Sequence, residues 1–419
     1  MLYLCVEVII PLLPFIRKIM PDVSIRAGAI PASPIRKLSA VAEAAAQRGV
    51  KVYHLNIGQP DIASPKAGLD ALHHVDRTVL EYSPSNGFAS LRKAWAEYYS
   101  SFGVTLNADD FIVTAGASEA ALFALLCCLD PGDEIIAPEP LYANYTSFAI
   151  ASGVRLVPVS AYMEDGFRLP SAEQLAALVG PRTRGILICN PNNPTGYVYS
   201  SEELQAIGAL AREHNLFLFV DEVYREFVYG DTPFLSALTL EGAENNVVVF
   251  DSFSKRFSEC GIRIGAVVTR NTSLRSAIMR LCQARLSPPL LGQIVAEASL
   301  AAPESYGAQV YAEYKERRDC LMKRLAGMAG VTSSVPMGAF YTMARLPVDD
   351  AERFCAWCLS DFAYEGKTVM LAPGAGFYLT PGMGHDEVRI AYVLKKEDLM
   401  TALTVLEEAL KAYPGRLTR

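Results

Sequence analysis

From Asp110 to Thr269 the chain alternates between two patterns of apolar and polar positions. Short runs that are apolar throughout, "DFIVTAG", "DEIIAPEP", "RLVPVS", "RGILICNPNNPTG", "LFLFVDEVY", "NVVVFDSFSK" and "IGAVVT", are separated by stretches such as "SEAALFALLCCL" and "SEELQAIGALAREH", whose apolar residues recur at helical spacing. Strands apolar on both faces and joined by helices predict a mainly parallel, seven-stranded sheet between helices, an α/β fold. From about Glu304 the pattern changes to a long helix, "MGAFYTMARLP", another helix, "KTVMLAPGAGF" and "EVRIAYVL", a smaller α+β unit. The segment before about Pro65 is expected to pack with it. The expected division is an N-terminal extension over 1–33, a large domain over 66–303, and a small domain made of 34–65 and 304–419.

A length of 419 residues suits a large and a smaller domain that share a cleft, and the apolar fraction of 51% and charged fraction of 20% are those of a globular protein. A net charge of −7 gives no basis for gripping nucleic acid or an anionic membrane, which leaves small molecules and copies of the chain as partners. The nine cysteines are scattered, which suits a reducing, cytoplasmic setting. Cys355 and Cys358 form a C-x-x-C inside a helical pattern, so they read as helix-face packing rather than a redox pair, and nothing completes a zinc site. The apolar start, "MLYLCVEVIIPLLPFIRKIM", is broken by Glu7, Pro11 and Pro14 and carries its positive charge after the apolar run. It reads as neither a spanning helix nor a signal peptide, and translation is expected to begin at Met20.

Polar residues gather just after the predicted strands: Asn193, Asp221, Tyr224, Ser252 and Lys255. In open α/β sheets that edge is where ligands bind. Each residue has a plain structural reading as well: Asp221 and Ser252 as helix caps, the Asn193 segment as a turn, Arg263 as half of a surface ion pair. Their joint placement at consecutive strand ends calls for one explanation. An amine, a carboxylate, a phenol, hydroxyls and an arginine around one cleft are what pyridoxal 5'-phosphate requires.

The stretch "SFSKRFSECGIRIG" resembles the lysine motif of class I and II aminotransferases, the fold type I family of pyridoxal-phosphate enzymes. "NPNNPTG", "DEVY", "YSPSNGFASLR" and "VRIAY" resemble its other signatures in the family's order, from about Pro34 to the last helix. The resemblance implies ping-pong transamination between an amino acid and a 2-oxo acid, with aspartate or a related donor and 2-oxoglutarate as the first expectation. By the same resemblance Lys255 is the lysine that joins the cofactor covalently and moves the proton, and Asp221 faces the ring nitrogen. Asn193 and Tyr224 serve the ring oxygen, and Tyr142 in "PEPLYANY" stacks on the ring. Ala117 and Ser118 in "TAGASEA", with Ser252 and Arg263, hold the phosphate. Tyr82 reaches the phosphate of a neighbouring subunit, which implies a homodimer with shared sites. Arg389 takes the substrate α-carboxylate, and the backbone of Gly58 approaches it.

Two positions depart from the family. Gln59 stands where many members are acidic. Aligning on Pro288-Pro289 puts Cys282 where dicarboxylate-specific members carry an arginine, with Arg285 close but out of register. The same catalytic set also serves C–S β-lyases, the enzymatic alternative. A non-catalytic, aminotransferase-like regulator is the other alternative, disfavoured because no DNA-binding module or basic face accompanies the sequence.

Overall fold

The computed structural model describes residues 21–230 and 234–418, so the expected start at Met20 lies outside the described residues. β1 (Lys51–His54) opens the ordered core. It is followed by β2 (Phe111–Thr114), β3 (Glu134–Glu139), β4 (Arg155–Ser160), β5 (Thr183–Cys189), β6 (Phe217–Asp221), β7 (Val247–Ser252) and β8 (Gly265–Val268). These seven form one sheet in the order β2-β8-β7-β6-β5-β3-β4. Every apolar run named above supplies one strand. All neighbours in it pair in parallel except β8, which runs antiparallel to both β2 and β7.

Alternation along β7 shows why the run had to be apolar throughout. Val248 and Phe250 enter one core cluster and Val247 and Val249 enter another, so successive side chains seal opposite faces. Helices cover both faces. The helix Ser201–Glu213 begins at a capping box in which Ser200 Oγ accepts from Glu203 N at 3.2 Å and Glu203 accepts from Ser200 N at 2.8 Å.

The later chain builds a second sheet from β9 (Thr332–Ser333), β10 (Tyr341–Arg345), β12 (Ala372–Pro373) and β13 (Glu387–Ala391), in the order β12-β13-β10-β9. β11 (Lys367–Met370) pairs in parallel with β1, which ties the early segment to the C-terminal part of the chain. Cys355 and Cys358 are both buried in the helix Ala351–Ser360, and burial raises both thiols, as core packing requires and a reactive thiolate does not. Among the described residues no helix is long and apolar enough to cross a membrane.

Candidate active site

The ends of β6 and β7 place the two central side chains. β6 finishes on Asp221 and β7 on Ser252, and the short helix Phe253–Arg256 then carries Lys255. Ser252 Oγ accepts from Ser254 N at 3.1 Å and donates to Ile264 O at 3.0 Å, so its hydroxyl both caps this helix and pins it to the next strand.

Lys255 Nζ donates to Gly58 O at 2.9 Å, with Cys260 Sγ 3.9 Å away. Burial disfavours its ammonium form and lowers its pKa. Asp221 is buried, and burial pushes its carboxyl up to about 6. Tyr145 Oη donates to it at 2.6 Å and Val223 N at 3.2 Å, and both bonds favour the carboxylate. Tyr145 lies edge-on to Tyr142 with ring centroids 5.3 Å apart, which connects the carboxylate's holder to the residue expected to stack on the cofactor.

Arg389, on β13, is 1% exposed. It donates to Asn193 Oδ1 at 2.9 Å and to the Asn56 carbonyl, yet its Nε has no partner and no ion pair to it is found among the described residues. Its guanidinium stands 4.4 Å from the Tyr341 ring and 5.0 Å from that of Phe377. Tyr341 and Tyr224 share a hydrogen bond at 2.9 Å. A Cβ at position 58 would fall 1.7 Å from Tyr341 Oη, so the phenol fills the space that a side chain would take.

Ala117 opens the helix Ala117–Cys128 with Ser118 in its first turn, behind Gly116 at φ +84°. Free N–H groups at a helix start favour an anion. Arg263 lies beside them, donating to Ala115 O at 3.1 Å and Cys260 O at 3.0 Å, and a Cβ on Gly116 would meet its Nη2 at 2.4 Å. Arg263 itself holds φ +58°, a strained backbone for a side-chain-bearing residue, and such strain clusters at ligand sites.

Lys255 therefore feels the charges of Asp221, Arg389 and Arg263, and Asn193, Tyr224 and Tyr142 neighbour Arg389, with Ala117 and Ser118 beside Arg263 and Ser252 capping the Lys255 helix. Tyr82 stands apart from the cleft's hydrogen bonds and is 75% exposed. Arg285, the out-of-register candidate, pairs with Glu119 at 2.6 Å, and Cys282 is fully buried. Tyr145, Tyr341 and Asn56 are residues that the sequence reading did not single out. The first two sit inside the quoted stretches "PEPLYANY" and "MGAFYTMARLP", where two further tyrosines among polar neighbours were the available signal.

The sequence matches the family described as aminotransferase class I and II over residues 50–406. The chain belongs to that family. It is 32% identical to an aspartate aminotransferase of Pyrococcus horikoshii over 86% of this chain and 91% of that protein. Among solved structures it resembles aspartate aminotransferase from Thermus thermophilus with maleate (28% identity, TM-score 0.85) and an alanine aminotransferase from Pyrococcus furiosus (30% identity, TM-score 0.85). Each covers 93% of this chain and 100% of the solved one. The protein is thus a pyridoxal-phosphate-dependent aminotransferase of fold type I. The residues present fit that cofactor: an anion cradle of helix N–H groups and Arg263, a buried carboxylate, a half-buried amine, and a buried arginine with an orphaned Nε.

Proposed function

We propose that the enzyme transfers the amino group of aspartate or a closely related amino acid to 2-oxoglutarate, in two half-reactions at one site. The observation that carries the reading of the substrate as an amino acid is Arg389: an arginine buried with no carboxylate partner among the described residues needs an anion from outside, and its planar fork matches a carboxylate. The aspartate assignment takes its support from relatives of that name.

When bound, pyridoxal 5'-phosphate supplies an aldehyde for the amine and a ring that spreads negative charge away from the substrate Cα. The chain's residues do the rest. Burial disfavours the ammonium form of Lys255 and so favours the neutral amine that can accept a proton, and the Gly58 carbonyl fixes its direction. Asp221, whose carboxylate form the Tyr145 hydroxyl and Val223 N favour, would face the ring nitrogen, and a cation there would favour its charge further. Asn193 and Tyr224 are assigned to the ring oxygen, Tyr142 to the ring face, and Ala117, Ser118, Ser252 and Arg263 to the phosphate. Gly58 and Asn193 stand next to the carboxylate site through Lys255 and Arg389.

The same proposal assigns the large domain to 66–303 and the small domain to 34–65 with 304–419, supported by the seven-stranded sheet of the first range and by the four-stranded sheet and β1–β11 pair of the second. It makes the enzyme a cytoplasmic homodimer of amino-acid biosynthesis in which the exposed Tyr82 reaches the second subunit's phosphate. A single-turnover spectral screen tests it: mixing the purified holoenzyme with aspartate should convert the lysine-bound cofactor absorbance to that of the amine form, and 2-oxoglutarate should reverse it. Release of pyruvate and ammonia from cysteine conjugates, with no such conversion by any amino acid, would replace transamination by β-elimination.

A further inference from the structure

A dicarboxylic substrate needs a second cation, one short side chain away from Arg389. The cations near the cleft are quickly assigned. Lys255 is held by Gly58 O, Arg263 by two carbonyls at the phosphate end, and Arg285 by Glu119. Cys282 is buried, and burial pushes its thiol up to about 11, so it brings no charge. Arg36 remains. It is exposed and enters no ion pair among the described residues.

Its place is fixed by the backbone. Arg36 N closes a turn onto Ser33 O at 3.1 Å, and the carbonyl just before it, Ile35 O, accepts from Asn56 Nδ2 at 2.7 Å. The carbonyl of the same Asn56 accepts from Arg389 Nη2. Two consecutive hydrogen bonds thus lock the Arg36 turn to the α-carboxylate arginine. Ile35 packs into the small cluster that holds Phe377, whose ring lies against Arg389, so an apolar step separates the two cations. The charges of Arg389 and Arg36 both reach the Tyr142 hydroxyl. Two cations with an apolar step between them match a substrate whose two carboxylates are separated by methylene groups.

We infer that Arg36 recognises the distal carboxylate of the substrate, in the same chain that supplies Arg389 and in place of the absent cation at position 282. The inference rests on the reading of Arg389 as the α-carboxylate site. It is tested on the holoenzyme by spectral titration with two unreactive acids, succinate and propionate. The unsubstituted enzyme should bind succinate more tightly, and Arg36→Ala should weaken succinate roughly tenfold while leaving propionate unchanged. Arg36→Lys should restore part of the loss, since lysine keeps the charge without the fork. An unchanged succinate-to-propionate ratio in Arg36→Ala, or no preference for succinate in the unsubstituted enzyme, overturns the inference while leaving Arg389 in place. Binding of neither acid to the unsubstituted enzyme overturns the Arg389 reading as well.

Discussion

β6 and β7 end in two clusters of buried charge with opposite character. In one, Asp251 takes Arg225 Nη2 at 2.8 Å and also Arg256, Tyr99 at 2.9 Å, Trp95 Nε1 at 3.1 Å and its neighbour Ser252 N at 2.7 Å. Arg256 reaches Glu226 at 3.3 Å, and Glu222, pushed up to about 7 by burial, is held by Ser236 and Ala237 N. There the arginines face carboxylates. In the other cluster Asp221 and Arg389 are buried and Lys255 is half-buried, but among the described residues the arginine faces no acid, and the aspartate is held by a neutral phenol. The sequence interleaves the two: Asp221 precedes Glu222, and Asp251 and Arg256 flank Lys255. A compensated network holds the strand ends, and that support lets the neighbouring groups keep charges that only a ligand can satisfy.

The sharpest way to break this comparison is Lys255→Ala. Its visible cofactor absorbance and its turnover should vanish together, and survival of either would remove Lys255 from the centre of the site. Next in size is Asp251→Asn, which strands two buried arginines. Urea unfolding should show a loss of about 3–5 kcal/mol, whereas a loss below about 1 kcal/mol would mean that the network does not hold the strand ends.

A smaller effect sharpens the contrast through pH. The Asp221 carboxyl rises from 3.8 to about 6 on folding, so between those values the folded state binds more protons than the unfolded one. Stability contributed by this group is therefore present below pH 3.8 and lost as pH rises toward about 6, by roughly 3 kcal/mol over that window. In protein stripped of cofactor, Asp221→Asn should remove that part of the decline. An identical stability profile for both proteins would show that Asp221 already has its countercharge within the chain.

Much of this was legible in the sequence. The β7 run sealed on both faces, ending in a lysine-bearing turn, announced both a parallel-type strand and a buried amine, because lysine in such a place needs a partner or a task. The reversed direction of β8 was not legible: "IGAVVT" is apolar whichever way it runs, and periodicity carries no sense of direction. Arg389 was found from its motif, whereas the part played by Tyr341 was not, because the need for glycine at position 58 arises from a phenol far along the chain. Local pattern encodes burial, and contacts between remote segments leave no local trace.

The bond from Arg389 to the Asn56 carbonyl spans 333 residues. At roughly 5–20 residues per second of synthesis, the ribosome releases the first partner roughly 15–70 s before the second. For that interval β1 waits without β11, an unpaired strand edge open to the wrong neighbour. The nascent chain therefore holds its β6 and β7 machinery before it can hold an amino acid, and the cleft is completed only when almost the whole polypeptide has been made.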